Sequence, residues 1–241
     1  MKNFIIKIHV FFKGIILLLK PHVFLSWLRH PFLTTYNMLG LSKWISENSS
    51  PFNDFYTGTR DHNRRYNLYQ HVIDTFNVNN QEFAYLEFGV SHAFSFKWWL
   101  KACDNPNAKF YGFDTFEGLP ESWGVFAKGA MMASIPDVDD ARASFFKGLF
   151  QETLPDFIKS NFVRPEQIKI IHLDADLFSS TLFVLTTLSP ILKKGDILIF
   201  DEFNVPNHEY YALKLFCDTY YVKVKLVGAV NNYYQIALEI V

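Results

Sequence analysis

The 241-residue chain has only two cysteines, Cys103 and Cys217, 114 residues apart. They form no CxxC pair. Neither a thiolate zinc site nor a disulfide framework is supported, and two buried thiols in a reducing compartment is the plain reading. Charge of one sign is also missing. With 23 Lys and Arg against 24 Asp and Glu, the net charge is −1, which excludes the overall basic field of a nucleic-acid binder. Near the amino terminus no apolar run reaches the ~18–20 residues of a membrane span, because Lys7, Lys13 and Lys20 interrupt it. No small-residue cleavage site follows that run, which argues against a secretory signal. The full G-x-G-x-x-G fingerprint, internal repeats and low-complexity tracts are absent. What is present is bulk: 49% hydrophobic residues and 26 Phe, enough for one globular domain, or one domain with an appendage.

The appendage is at the front. At 100° per residue, Lys2, His9, Lys13 and Lys20 share a stripe of roughly 40°, while Phe, Ile and Leu cover most of the remaining circumference. Lys7 breaks the pattern, although a long stem can snorkel. A narrow basic face under a wide apolar one suits a helix lying in a membrane interface, and equally one packed on the domain or on a second subunit. Pro21 ends this helix at about Lys20. Residues 21–60 read as a short helical region and a connecting loop. The division predicted is 1–58 for the amphipathic helix and connecting segment, and 59–241 for the main domain.

Downstream, helical and extended patterns alternate. Helices are expected at Asp61–Phe76 with Asp61 as N-cap, Ser95–Ala102, Leu154–Phe162, Ser180–Leu192 with Gly195 as closing glycine, and Glu209–Thr219. Strands are expected at Ala84–Phe88, Lys109–Phe113, Ala143–Phe146, Ile168–Leu173 and Ile197–Phe200, with a hairpin of Tyr221–Val227 and Tyr233–Ile240. That order means a parallel α/β sheet with an antiparallel edge.

Ligands of such sheets bind beyond the carboxyl ends of the strands. Here those ends carry Glu87 and Gly89, Asp114, Asp174 and Asp176, and Asp201 with Glu202. A carboxylate at Glu87 would repel a pyrophosphate, which disfavours a dinucleotide and the oxidoreductase that would use one. It would attract a cation such as the ammonium and sulfonium of S-adenosylmethionine. Asp114 is placed to accept two ribose hydroxyls. The acids at 174, 176, 201 and 202 converge because adjacent strands lie ~4.8 Å apart, and such a group needs protons or a cation. All-oxygen ligands suit Mg²⁺ or Ca²⁺. His172 reads as a core histidine, and His92 and His208 as loop histidines near the site.

The run Tyr111-Gly112-Phe113-Asp114-Thr115-Phe116-Glu117-Gly118-Leu119-Pro120-Glu121 resembles the signature of the macrocin and mycinamicin O-methyltransferase family. So do the runs from Phe146 to Pro155 and from His172 to Thr181. Ile199-Phe200-Asp201-Glu202-Phe203 resembles the family's second acidic motif. The resemblance runs from about Arg60 to Val241. It departs at Ala93-Phe94, where the family often has two glycines, and at Asp196, where a second glycine would matter little. The first sixty residues lie outside it.

The resemblance implies a Rossmann-like seven-stranded, mostly parallel α/β sheet with an antiparallel C-terminal hairpin and helices on both faces. It implies an S-adenosylmethionine-dependent O-methyltransferase, Mg²⁺-assisted, acting on a hydroxyl of a sugar, a glycosylated small molecule or a surface glycan. By motif position Glu87, Gly89, Ser91 and Asp114 would hold the cofactor, and Asp174, Asp201 and Glu202 the metal. The base that takes the hydroxyl proton would come from Asp174, Asp176, His92 and His208. The alternative is a membrane-associated binding or scaffold protein with a degenerate methyltransferase fold. Either is expected in the cytoplasm, with residues 1–20 able to lie on the inner membrane face or to meet a second copy.

Overall fold

The structure is a computed structural model that describes residues 2–54 and 58–241, so Met1 of the expected first helix lies outside the described residues. Three helices come first: α1 (Lys2–Leu19), α2 (His22–Leu25) and α3 (Arg29–Glu47). The first ends where Lys20, at φ 46°, and Pro21 break the backbone pattern. The third is a correction. A region expected to be a short helix and a loop is instead a 19-residue helix, because Pro31 falls in its first turn, where a missing N–H costs nothing.

Then follow α4 (Arg64–Phe76), β1 (Phe83–Phe88), α5 (Phe94–Ala102), β2 (Lys109–Asp114), β3 (Ala143–Lys147), α6 (Phe150–Lys159), β4 (Ile168–Leu173), α7 (Phe178–Leu188), β5 (Ile197–Phe200), α8 (Glu209–Tyr220), β6 (Val224–Val230) and β7 (Gln235–Ile240). The seven strands form one sheet in the order β3-β2-β1-β4-β5-β7-β6. Pairs from β3 through β5 are parallel, and β7 runs antiparallel to both β5 and β6. This is the expected α/β architecture, with helices on both faces.

Strand periodicity divides the core in two. Leu86, Phe88, Phe113, Ile171, Leu173, Leu198 and Phe200 pack with α6, α7 and α8. Phe83, Tyr85, Phe110, Ile170, Ile197 and Ile199 pack on the other face with α4 and α5. On the α7/α8 side, Trp44 and Ile45 of α3 also join the core. Before α4, Asp54 donates its N–H to Ala229 O (3.4 Å), and Phe52 O accepts from Ala229 (2.9 Å), so this segment pairs with β6.

Element boundaries moved for local reasons. Asp61 is not the cap of α4: its Oδ1 accepts from Asn63 N (3.0 Å) in a turn, and the helix begins at Arg64. Helix α6 starts at Phe150 rather than Leu154, because Glu152 reaches back to Leu149 N (3.2 Å) and nucleates the turn ahead of Pro155. Helix α7 stops at Leu188, short of Leu192, where a 3₁₀ turn through Pro190 takes over. Strand β6 begins at Val224 because Tyr221 closes α8 in the left-handed region, at φ 56°.

Register sets up the site. Phe88 pairs with Leu173, and Leu173 with Phe200. The next residues, Gly89, Asp174 and Asp201, therefore leave the sheet side by side. Their N–H groups donate to Phe113 O (2.9 Å), Phe88 O (2.9 Å) and Leu173 O (3.1 Å).

At the far end of β4 and β5 stands Asp196, the residue to which the sequence assigned little weight. It is completely buried. Its carboxylate accepts from Lys169 N (3.0 Å) and Lys193 N (2.8 Å), and lies 3.2 Å from Lys169 Nζ. Burial raises the pKa of Asp196 and lowers that of Lys169, so each ion depends on the other. Asp196→Ala should cost about 3–5 kcal/mol, because a buried ammonium loses its counter-charge. Lys169→Met with Asp196→Asn should recover most of that loss. Urea unfolding of the wild type and the two variants checks both, and equal stability of Asp196→Ala and wild type would remove the pair from the fold's essentials.

Candidate functional site

A cleft of about 820 Å³ opens along the carboxyl ends of β1, β2, β4 and β5. It lies where the chain order reverses between β1 and β4, the place where open α/β sheets bind ligands. The volume falls within the usual range of ligand sites and is large enough for a nucleoside-sized molecule beside a second reactant.

One half is built on a glycine. Gly89 sits at φ 97°, and a Cβ there would lie 1.8 Å from Asp174 O. No other residue fits, because the β1 turn is pressed against the β4 turn. Ser91 (φ 47°) and Ala93 (φ 59°) continue the turn in the left-handed region, so the expected glycine-like conformation is retained without the glycine. Phe94 then starts α5 with 72% of its surface exposed and does not line the cleft. Opposite, Asp114 ends β2 and lines the cleft. Its Oδ2 accepts from Ser91 N (2.8 Å) and its Oδ1 from Phe116 N (2.6 Å). Each oxygen keeps a second lone pair for a ligand.

The other half is acidic. Asp174, Asp176, Asp201 and Glu202 all line the cleft. Asp174 has carboxylate oxygen within 4.8 Å of Asp176 and Glu202 on one side, and of Asp201 and His172 on the other. Burial, then the Asp201 charge, raises the pKa of Asp174, Asp176 and Glu202, and Asp176 reaches about 7. Partners hold the group together. Arg65 of α4 lies 3.3 Å from Asp201 Oδ2, and Tyr234 donates its hydroxyl to Glu202 Oε1 (3.0 Å). Burial opposes the charge of Arg65, yet Asp201, Tyr69 and Asp174 raise its pKa. Glu209, the first residue of α8, accepts from Glu202 N (2.9 Å).

Two buried carboxylate oxygens, Asp201 Oδ1 and Glu202 Oε2, have no hydrogen-bond partner among the described residues. Unpaired buried acceptors beside a third carboxylate suit a hard divalent cation, with oxygen donors rather than zinc's nitrogen and sulfur. The expected trio of Asp174, Asp201 and Glu202 thus fits a cation, and Asp176 stands beside it. His172 does not compete as a ligand. Tyr69 hydroxyl meets its Nε2 (3.2 Å) and Tyr85 hydroxyl its Nδ1 (2.7 Å), so both ring nitrogens are engaged.

Three expectations change. Glu87 does not line the cleft. It points to the α4/α5 face, buried, accepting the Tyr85 hydroxyl proton, with His172 Nδ1 at 3.6 Å. Strand alternation explains this, because Glu87 shares its face with Tyr85. Tyr85 has one proton and gives it to Glu87, so His172 Nδ1 carries the hydrogen toward Tyr85. His208 also lies outside the cleft wall. Its Nδ1 accepts from Phe178 N (3.3 Å), its edge meets Trp123, and burial lowers its pKa. His92 is exposed and likewise does not line the cleft.

The sequence reading missed Arg65, Tyr234 and Glu209, and also Arg60, whose guanidinium lies 3.3 Å over the Tyr234 ring at the rim. An acidic floor demands a counter-cation, so one of the paired arginines 64 and 65 could have been foreseen. Tyr234 gives no such signal. The 115–140 loop supplies an apolar wall of Leu119, Phe126 and Met131. Trp123 and Phe126 are bridged by reciprocal backbone bonds of 2.9 and 2.8 Å, and Ser179 hydroxyl donates to Glu121 (2.7 Å), which ties the loop across the cleft.

The Arg65 pair also selects the right probe of the metal. Asp201→Asn would leave a buried arginine short of its partner, whereas Glu202→Gln keeps the Tyr234 bond and removes only charge. Millimolar Mg²⁺ or Ca²⁺ should raise the melting temperature of the wild type. Glu202→Gln should abolish that rise, while its metal-free stability holds or increases by on the order of 1 kcal/mol as repulsion is relieved. Differential scanning calorimetry with and without chelator reads both. A wild type indifferent to either cation, or a destabilised Glu202→Gln, contradicts the assignment.

The comparisons agree with this geometry. A methyltransferase-domain family model matches residues 86–203, which span β1 to the end of β5 and carry most of the cleft. No curated protein sequence matches the chain. Among solved structures, the calicheamicin methyltransferase CalS11 superposes with a TM-score of 0.58 at 20% identity, over 85% of this chain and 91% of that one. The O-methyltransferase NovP gives 0.58 at 20% identity, over 73% and 79%. An apo form of CalS11, described as a TDP-rhamnose 3′-O-methyltransferase, gives 0.52 at 19% identity, over 85% and 93%. At these identities the structural similarity establishes the fold, and the family match marks residues 86–203, just under half of the chain, as a methyltransferase domain.

Proposed function

We propose that this methyltransferase transfers its methyl group to a hydroxyl oxygen of a sugar or glycosylated acceptor, with a divalent cation assisting. The catalytic domain in this reading is 59–241, with 1–58 appended to it. One observation carries the reading: a single cleft joins Asp114, at the glycine turn, to a buried acidic floor with unpaired oxygens. The first half suits a nucleoside, and the second suits a hydroxyl that must lose a proton. Of the structures named above, one is described as a TDP-rhamnose 3′-O-methyltransferase and another as an O-methyltransferase, which supports the same acceptor class.

When bound, S-adenosylmethionine supplies an electrophilic methyl on a sulfonium, and a cation supplies a Lewis acid that lowers the acceptor hydroxyl's pKa. The chain's own residues do the rest. Asp114 receives ribose hydroxyls with the lone pairs left free by Ser91 and Phe116. Gly89 and Ser91 let the backbone approach the cofactor. Asp174, Asp201 and Glu202 hold the cation, with Arg65 and Tyr234 fixing the last two. Asp176 takes the acceptor proton, as the carboxylate of the floor that is not assigned to the cation. Leu119, Phe126 and Met131 exclude water along one wall. Holding both reactants in line then supplies much of the rate.

The scaffold alternative drew its support from Phe94 crowding the cofactor turn. With Phe94 turned to solvent, that support is gone.

Asp114→Asn keeps shape but replaces one acceptor oxygen with a donor, so S-adenosylmethionine affinity should fall at least about tenfold with the fold intact. Calorimetric titration of wild type and variant measures it. Asp176→Asn should leave that affinity within about twofold and lower kcat by on the order of 10²–10⁴. Release of S-adenosylhomocysteine against a panel of nucleoside-diphosphate sugars, glycosides and lipid-linked glycans provides the rate. A protein that binds the cofactor tightly yet methylates no hydroxyl in the panel, or that loses nothing with Asp114→Asn, contradicts the reading.

A further inference from the structure

The amino-terminal helices present a surface that the methyltransferase domain does not cover. Helices α1 and α2 and the 3₁₀ turn after them contain no buried residue, and α3 buries only Asn37 and Leu41. Phe4, Phe11, Leu17 and Leu18 of α1 expose 66–79% of their surface, and Phe24, Trp27, Phe32 and Leu39 continue the exposed apolar series. A continuous apolar patch of this extent marks an interface.

Charge decides what covers it. Residues 2–46 carry Lys2, Lys7, Lys13, Lys20, Arg29 and Lys43 and no Asp or Glu. This segment holds six of the chain's 23 Lys and Arg and none of its 24 Asp and Glu, so it is cationic while the remainder is acidic. Apolar side chains wrap most of α1 around a narrow lysine stripe, which is the profile of a helix half-sunk in lipid with its cations at the headgroups. No helix among the described residues is long and apolar enough to cross a membrane. At 18 residues, α1 is about 27 Å long and has the length to lie along a surface. Trp27, whose Nε1 donates to Phe24 O (3.1 Å), and Tyr36 add the ring type that prefers the headgroup layer.

We propose that residues 2–39 are a docking element for an anionic lipid surface. Its last helix, α3, is tied to the domain. Asn37 donates to Asn207 Oδ1 (2.9 Å), and Asn207 donates to Thr34 hydroxyl (2.7 Å). Asn207 lies in the loop between Glu202 and Glu209, so the carboxyl end of the element is held beside the acidic floor of the cleft. Lipid docking therefore holds the cleft close to the bilayer. The proposal stands on exposure and charge alone and does not depend on the acceptor assigned above.

The test uses the full chain and two sets of vesicles, phosphatidylcholine alone and phosphatidylcholine with phosphatidylglycerol at about 2:1, in co-sedimentation. Binding to the anionic set should be at least about tenfold stronger and should weaken as salt rises. Reversing Lys2, Lys7, Lys13 and Lys20 to Glu should lower it by on the order of a hundredfold. Phe11→Ser with Leu18→Ser should also release the protein, because the apolar contribution is lost. Neither set touches the domain core, so an unchanged melting temperature shows that the fold survives. Three results would overturn the proposal: no sedimentation with either vesicle, equal binding to both with no effect of the lysine reversal, or a lipid-free dimer that Phe11→Ser with Leu18→Ser dissociates. The last would make the face an interface between copies of this chain.

Discussion

Asp174, Asp176, Asp201 and Glu202 share one buried floor, and like charges this close cannot all ionise without compensation. Much of the site is an answer to that repulsion. Arg65 reaches in from α4 to neutralise Asp201, Tyr234 holds Glu202 from the far end of the hairpin, and Glu209 takes the Glu202 N–H. The answer is incomplete, since three carboxylate oxygens, Asp201 Oδ1, Glu202 Oε2 and Glu209 Oε1, stay without hydrogen-bond partners among the described residues. The unpaired oxygens leave the floor suited to a hard divalent cation, and burial with the Asp201 charge raises the pKa of the neighbouring Asp176. A floor fully paired with arginines would be more stable and chemically inert.

The same edge stores backbone strain. Ser91, Ala93, Phe116 and Asp176 all take left-handed conformations in the loops after β1, β2 and β4. Such residues cost about 1–2 kcal/mol each, and they persist only where surrounding contacts over-determine them. Here the contacts are visible. Asp114 pins Ser91 and Phe116 by their N–H groups, and Gly89 lets the β1 turn press against Asp174 O. One carboxylate therefore shapes both loops that flank it before any ligand arrives, which lowers the ordering cost of binding.

Beneath the floor lies a second, sealed polar layer: Glu87, Tyr85, His172 and Tyr69, linked in a chain that ends at Ser95. Burial raises the pKa of both tyrosines well above the ordinary range, so they act as fixed hydrogen-bond donors. The layer explains why a glutamate can sit two residues before the glycine turn without entering the cleft.

The sequence by itself determined the alternation of strands and helices, the antiparallel hairpin, and the acids at nearly every strand end. Strand length, period and terminal residue are local properties, and the spacing of apolar residues carries them. For the same reason Gly89, Ser91, Asp114, Asp174, Asp176, Asp201 and Glu202 were legible as one site once parallel strands were granted. Tertiary structure alone decided which side each acid faces and what neutralises it. Glu87 turns away because strand alternation and the Tyr85–His172 pair claim it. His208 is drawn off by Phe178 N, and Asp196 becomes a buried ion only because β4 and β5 enclose Lys169 beside it. Arg65 and Tyr234 reach the floor from elements far apart in the chain, through contacts that no local pattern encodes. Helix α3 was hidden for a related reason: its polar and aromatic residues lack a clear period, and its order comes from the close approach of Gly40 to Tyr210 of α8, from Trp44 against Phe203 and from the Asn37–Asn207 bond.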